Sequence, residues 1–83
     1  MAIKPYNGHH CWNCWNVSLW IGNDEFLYRL ARHHWERANH VDTRAKVGVV
    51  TRWLLQDLPT KTPDGAKYTD KSVRAAVKGL FEE

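Results

Sequence analysis

The stretch HHCWNCWNVSLW, residues 9–20, decides how the chain is interpreted, because it suits two very different structures. It holds two histidines, two cysteines in C-x-x-C spacing, and three of the five tryptophans in the chain. Such a stretch is either a metal or redox site, or a helix whose aromatic face builds a core. We favour the helix.

A helical period places apolar side chains on nearly every side of residues 11–21. Cys11, Trp12, Trp15 and Leu19 share one side, and Cys14, Val17 and Ile21 share the other. A helix that is apolar all round is expected to be central and buried. Replacing either of the first two tryptophans by alanine is then expected to cost ~3–5 kcal/mol. The structural core motif that we predict comprises Trp12, Trp15, Asn16, Leu19, Trp20 and Asn23.

Capping and breaking residues divide the chain into one all-α domain, 1–83, a compact bundle of about four helices. Gly22 suits a left-handed helix end, Asn23 suits the cap of the next helix, and Pro59 stops the third. A Pro63-Asp64-Gly65 turn and a cap at Thr69 precede the last helix. The predicted helices cover roughly 11–21, 23–39, 43–58 and 70–82, with an extended lead-in over 1–10 and a loop over 59–69.

The helical period also predicts which side of each later helix faces inward. The inner stripe of the second helix is Leu27, Leu30, Ala31, His34 and Ala38, that of the third is Val47, Val50, Trp53, Leu54 and Leu58, and that of the fourth is Val73, Ala76, Val77 and Leu80. Gly48 weakens a helix interior, so we expect it to lie where a neighbouring helix or a partner comes close.

Two asparagines in the first helix need hydrogen-bond partners if they are buried. Asn13 and Asn16 lie beside tryptophans, and an unpaired buried amide costs several kcal/mol. We expect both to bond to backbone groups, of the lead-in or of the Gly22–Asp24 junction. That arrangement would specify how the first two helices meet.

Size, charge and hydropathy limit the classes of protein to which the chain can belong. Eighty-three residues make one domain, and a net charge of +3 permits a nucleic-acid or acidic-protein partner without requiring one. The chain shows no signal-peptide pattern and no apolar run that could span a membrane. We expect a cytoplasmic protein with reduced cysteines, without a cofactor and without membrane contact.

A metal site is the first alternative for the opening stretch. His10, Cys11, Cys14 and His34 have ligand chemistry and could hold zinc. However, no second cysteine pair is present, and cysteines at i and i+3 also pack as small apolar residues. A thioredoxin-type redox site is less favoured still, since no strand pattern precedes Cys11.

Catalysis has little support, because most acidic residues suit caps and ion pairs and no phosphate-binding glycine loop is present. Nucleic-acid binding is a stronger alternative, since basic residues recur on two helices and could contact phosphates. The residues that we expect to contact a partner are Arg29, Arg32 and Arg37 on the second helix and Lys71, Arg74 and Lys78 on the fourth.

The segment WNCWNVSLWIGNDEFLYRLA, residues 12–31, resembles a family of small bacteriophage and mobile-element proteins. Its members carry a W-N-V-x-L-W-I/L segment followed by N-D-E and an aromatic residue. The matching positions here are Trp15, Asn16, Val17, Leu19, Trp20, Ile21, Asn23, Asp24, Glu25 and Tyr28. Members often have other residues at the positions of the two cysteines, which further disfavours zinc.

The resemblance implies a genomic context and no particular chemistry. Small accessory phage proteins of this size are frequently counter-defence factors. We therefore expect a non-enzymatic anti-defence protein, in its most specific form an anti-CRISPR that binds and blocks a host CRISPR–Cas effector as a monomer or homodimer. The alternatives are a small basic nucleic-acid-binding protein and a zinc-binding module.

Overall fold

The computed structural model describes residues 11–39 and 42–81, which fold into four α-helices. Their bounds are Trp12–Asn23 (α1), Glu25–Arg37 (α2), Thr43–Asp57 (α3) and Asp70–Phe81 (α4). The predicted all-α, four-helix architecture is confirmed, and the lead-in predicted over 1–10 lies outside the described residues. No helix in the described part is both long enough and apolar enough to cross a membrane.

The helices form a ring in which α4 packs against α1 and α3, and α2 packs against the same two helices. The first turns of α1 and α4 meet at Lys67, whose carbonyl oxygen accepts hydrogen bonds from both Asn13 and Ser72. At the other end, Gly22 of α1 faces Leu80 of α4. These two helices therefore run in the same direction.

The inner stripes predicted for the last three helices are confirmed at their central residues and are wider than predicted. The buried apolar members are Ala31 in α2 and Ala38 at its end, Val47, Val50 and Leu54 in α3, and Val73, Ala76 and Val77 in α4. Two buried hydroxyls on these helices were not predicted. The Thr51 hydroxyl donates to the carbonyl oxygen of Val47 at 2.7 Å, and the Ser72 hydroxyl donates to the carbonyl oxygen of Thr69 at 3.2 Å. Each hydroxyl is satisfied locally, so small polar residues fit these core positions.

Only part of α1 is buried, whereas we predicted a helix that is buried nearly all round. Val17 and Ile21 are fully buried, whereas Trp12 is 40% exposed and Leu19 is 38% exposed. The small and β-branched side chains allow α4 to come close, and a tryptophan at the contact would hold the helices apart. The prediction that Trp12 and Leu19 belong to the core was therefore wrong.

The remaining residues of the predicted core motif occupy different environments. Trp15 and Trp20 are half-buried, Asn16 is buried, and Asn23 is exposed. The first helix therefore has three different sides. One side packs on the core, another carries hydrogen-bonding groups, and the third presents aromatic and aliphatic surface to solvent.

The junction between α1 and α2 is one residue long. Gly22 and Asn23 continue α1, and Asp24 is the cap of α2, where its Oδ1 accepts a hydrogen bond from the Leu27 N–H at 3.0 Å. The predicted left-handed end at Gly22 was therefore wrong, since Gly22 is helical and the residue that caps the end of α1, Asp24, has φ −77°. The cap predicted at Asn23 lies one residue later, at Asp24. At this position an aspartate stabilises the helix more than an asparagine, because its negative charge also interacts favourably with the positive end of the helix dipole.

The loop between α3 and α4 folds as a small hairpin. Lys61 and Lys67 form an isolated antiparallel bridge, and the Gly65 N–H donates to the Thr62 carbonyl oxygen at 2.9 Å. Gly65 has φ of +93°, so the Pro63-Asp64-Gly65 turn is confirmed and requires a glycine at its third position. Thr69 caps α4 as predicted, since its Oγ1 accepts from the Ser72 N–H at 3.1 Å.

A row of polar side chains on α1 holds this hairpin. The Asn16 amide donates to Asp64 Oδ2 at 2.9 Å, and its carbonyl oxygen accepts from Thr62 Oγ1 at 2.7 Å. The Trp20 indole donates to the same Asp64 oxygen at 2.9 Å. We call this set of contacts, Asn16 and Trp20 with Thr62 and Asp64, the hairpin clamp.

Asn13 extends the same contact along α1 by pairing with the backbone of Lys67. Its amide donates to the Lys67 carbonyl oxygen at 2.8 Å and its oxygen accepts from the Lys67 N–H at 2.7 Å. The prediction that the asparagines are hydrogen-bonded is confirmed. Asn13 bonds to backbone as predicted, but to that of Lys67 in the hairpin, whereas Asn16 bonds to the side chains of Asp64 and Thr62. The predicted bonds to the α1–α2 junction were therefore wrong.

The observed burial along α1 predicts which of two substitutions destabilises the protein more. Ile21→Ala should cost ~2–5 kcal/mol because it leaves a cavity in a fully buried site. Trp12→Ala should cost less than half as much, because a large part of the indole is already exposed. Urea unfolding followed by circular dichroism measures both, and an equal loss in the two variants would contradict the assignment.

The hairpin clamp predicts a dependence of stability on pH. Hydrogen bonds from Asn16 and then Trp20 lower the pKa of Asp64 below the usual range of an aspartate. A lowered pKa means that the carboxylate stabilises the fold above about pH 4, and that this stabilisation is lost as pH falls through the folded-state pKa. The difference in unfolding free energy between wild type and Asp64→Asn should therefore shrink on acidification. Parallel stability curves for the two proteins would show that the carboxylate charge does not hold the hairpin.

Candidate binding groove between helices α3 and α4

An open groove of about 560 Å³ runs between the outer surfaces of α3 and α4. It combines a largely apolar floor with charged and polar residues at its sides. The floor residues are Ala45, Gly48, Val49 and Leu55, and the polar residues are Arg52, Gln56, Asp70 and Arg74.

The groove is lined from α3 by residues that face away from the core. Gly48 and Arg52 are four residues apart on one side of α3, away from the stripe that contains Val50 and Leu54. The end of the Arg74 side chain of α4 lies over Gly48, and its Nη1 would be 3.5 Å from a Cβ at that position, which is an ordinary contact distance. The expectation that Gly48 marks a close approach of a neighbouring helix was therefore wrong.

Arg74 lies over the groove in a weak ion pair that a partner can replace. Its Nε and Nη2 donate to the two carboxylate oxygens of Asp70 at 3.1 and 3.3 Å. The side chains are 47% and 65% exposed, and such exposed pairs contribute at most ~1 kcal/mol. Arg74 can therefore exchange Asp70 for a carboxylate or phosphate of another molecule.

Arg52 supplies the second cation of the groove. Its side chain is exposed, and it has no ion-pair partner in the described part of the chain. A guanidinium offers several N–H donors in a plane and matches carboxylates and phosphates in two-point contacts. The sequence did not single out Arg52, although its spacing of four from Gly48 was the available signal.

The arginines predicted on α2 are engaged within the protein. Arg29 lies 2.6 Å from Glu25, and Arg32 lies 3.2 Å from Glu36, each as an i,i+4 ion pair. The Arg37 guanidinium lies 4.4 Å from the centre of the Trp53 ring. The structure therefore gives α2 a surface of mixed charge instead of a basic face.

The basic residues predicted on α4 share one side of that helix. Lys71, Arg74 and Lys78 are spaced by three and four residues, and all three are exposed. Lys71 lies near the start of α1, where its charge acts on the thiols of Cys11 and Cys14. Lys78 lies in the last turn of α4.

The residues considered for zinc are not brought together in the described structure. His34 is buried between α2 and α3, and its Nε2 lies 2.8 Å from Asp57 Oδ2. Cys11 and Cys14 lie at the start of α1, and His10 is outside the described residues. Within 11–39 and 42–81, no three histidine, cysteine or acidic side chains are placed to hold a metal ion.

A second groove of about 430 Å³ lies beside Trp20, Leu27 and Tyr68, next to the hairpin. The exposed Phe26 borders it, but the Trp20 N–H is already bonded to Asp64. This groove therefore offers apolar contact with few free polar groups. The α3–α4 groove, with two guanidinium groups, is the better candidate for specific binding.

The geometry at Gly48 predicts that alanine is accepted there. Gly48→Ala should stabilise the fold by ~0.5–1 kcal/mol, because glycine weakens a helix interior and the new methyl group meets Arg74 at ordinary contact distance. Gly79→Ala is the matched control, since nothing lies within 4 Å of a Cβ there. Urea unfolding of both variants tests this, and a loss of stability confined to Gly48→Ala would show that Arg74 packs more tightly than described.

Comparisons with known proteins give a family without an assigned activity. No curated protein and no solved structure matches the chain. One family model, described as a family of unknown function (DUF7249), matches residues 2–83. Since the match covers nearly the whole sequence, the chain belongs to this family, DUF7249.

Proposed function

We propose that this protein is a non-enzymatic inhibitor of a bacterial defence system, in its most specific form an anti-CRISPR that binds and blocks a CRISPR–Cas effector. The observation that carries the binding part is the α3–α4 groove, where Arg52 and Arg74 flank an apolar floor. The contact on the partner is a carboxylate-bearing protein surface.

The chemistry of the groove supports a protein partner. Apolar floor residues such as Val49 and Leu55 gain from contact with apolar side chains, which a phosphate backbone does not provide. The two guanidinium groups can each bind a carboxylate in a two-point contact. Arginine is also enriched in the central parts of protein–protein interfaces.

The target class is supported by the resemblance of residues 12–31 to small bacteriophage proteins. In this chain the matching residues Asn16 and Trp20 hold the hairpin, and Asp24 caps α2. The motif thus has a structural role here, and a binding surface can lie elsewhere. The α3–α4 groove lies outside the motif, so its residues can match a particular host target without any change in the motif.

Binding of nucleic acid is the second candidate. Lys71, Arg74 and Lys78 share one side of α4, and Arg52 lines the same groove as Arg74. Contacts with several phosphates would make the affinity fall steeply as salt rises. The mixed charge of α2 limits this surface to one side of the molecule.

The first experiment is affinity capture from host lysate with tagged protein, before and after nuclease treatment. A CRISPR–Cas effector that remains bound after nuclease supports the proposal. Recovery of nucleic acid alone, or of proteins lost on nuclease treatment, favours the second candidate and contradicts an effector-binding inhibitor.

Charge reversal tests whether the groove makes the contact. Arg52→Glu with Arg74→Glu should weaken binding of the captured partner at least ~100-fold, because each truncated or reversed charged contact at an interface costs ~2 kcal/mol or more. Arg29→Glu with Arg32→Glu changes the net charge equally on α2 and is the matched control. Circular dichroism checks that both variants fold. Equal weakening by the two pairs would show that overall charge, and not the groove, determines binding.

A further inference from the structure

The two cysteines lie at the start of α1 in different environments. Cys11 occupies the cap position with an extended backbone, φ −161° and ψ 173°, and its side chain is partly exposed. Cys14 lies one turn later and is 3% exposed. One thiol is therefore accessible from solvent, and the second lies behind it.

The local backbone allows a bond between the two sulfur atoms. The Trp15 N–H donates to the Cys11 carbonyl oxygen at 3.0 Å, so the turn that contains both cysteines is helical. Helix geometry then places the two Cα atoms ~5 Å apart. This separation lies within the range of ~4.4–6.8 Å found across disulfides. A disulfide can close here without unfolding α1.

Electrostatic interactions distinguish the two thiols. The backbone N–H of Cys14 lowers the pKa of the Cys11 thiol, and burial opposes this effect. The Asn13 N–H and the Lys71 ammonium lower the pKa further. The Cys11 side chain nevertheless makes no standard capping hydrogen bond. Burial raises the pKa of Cys14, and the Cys11 side chain raises it further. The accessible thiol is the more acidic of the pair, which is the order that an attacking and a resolving cysteine need.

The position of Lys71 is determined by the contacts between α1 and the start of α4. Asn13 bonds to both backbone groups of Lys67, and the Ser72 hydroxyl donates to the Lys67 carbonyl oxygen at 3.0 Å. These bonds hold the first turn of α4 against the first turn of α1. The ammonium group thus belongs to the environment of the thiols as well as to the surface of α4.

We propose that Cys11 and Cys14 form a redox-active dithiol that undergoes thiol–disulfide exchange with a disulfide substrate. The Cys11 thiolate attacks one sulfur of the substrate, forms a mixed disulfide and releases one substrate thiolate. Cys14 then loses its proton and attacks the Cys11 sulfur, which releases the second substrate thiolate. Two cysteine thiols are oxidised to one disulfide, and the substrate disulfide is reduced to two thiols.

A thioredoxin-type C-x-x-C follows a strand, whereas here Cys11 begins the first of four helices. The requirements of exchange are an activated, accessible thiolate and a second thiol within bonding distance. An all-helical domain can supply both.

The first test incubates the reduced protein with oxidised glutathione and measures mass and free thiols. The wild type should lose two hydrogens and both thiols, and Cys14→Ala should accumulate a glutathione adduct on Cys11. Cys11→Ser should form an adduct at least ~10-fold more slowly, because its remaining thiol is buried and less acidic. If the wild type keeps both thiols, or if the two variants react equally fast, the proposal is wrong.

A charge variant tests whether Lys71 activates Cys11. In the Cys14→Ala background, Lys71→Gln should slow alkylation of Cys11 at about pH 7, because the remaining thiol is then ionised less often. Lys61→Gln is the matched control, since Lys61 lies on the hairpin beside Trp20, toward the other end of α1. Equal alkylation rates in the two variants would show that Lys71 does not activate Cys11.

A zinc test distinguishes thiol–disulfide exchange from metal binding. Protection of both wild-type thiols by zinc, reversed by a chelator, would overturn the exchange proposal in favour of metal binding.

Discussion

The hydrogen bonds that Asn16 makes with Thr62 and Asp64 are the constraint on which the arrangement of the helices depends. The amide is buried, so its donor and acceptor must both be satisfied within the protein. The partners come from the hairpin that leads into α4, and α4 thereby begins beside the first turn of α1. An apolar residue at position 16 could bury itself as well, but it would not distinguish this position of the hairpin from a neighbouring one.

The division of α1 into three sides follows from this constraint. Val17 and Ile21 pack against the core, and Asn13, Asn16 and Trp20 bond to the hairpin. With those two sides occupied, the remaining side must face solvent. That is why Trp12 and Leu19 are 40% and 38% exposed although they are among the most apolar residues of the chain.

The parts of the structure that could be predicted from sequence depend on interactions between near neighbours. Caps, prolines and helical periods located four helices, and the Pro63-Asp64-Gly65 turn and the Thr69 cap were found at their positions. The side of α1 that faces inward could not be predicted, because a helix that is apolar all round has no periodic signal to orient it. The partners of Asn16 lie 46 and 48 residues away, and no local rule connects them.

The candidate sites show the same limit, because each needs groups from two helices. The ion pairs that offset two charges on α2, Arg29 with Glu25 and Arg32 with Glu36, join residues four apart and could be predicted from the sequence, whereas the composition of the groove and of the cysteine site could not. Arg52 joins Arg74 only because α3 and α4 are adjacent, and Lys71 reaches the thiols only because α4 begins beside α1. The position of α4 thus determines both the groove and the environment of Cys11. A change that displaced the hairpin clamp would alter the two sites together, whereas a change at Arg52 would affect the groove alone.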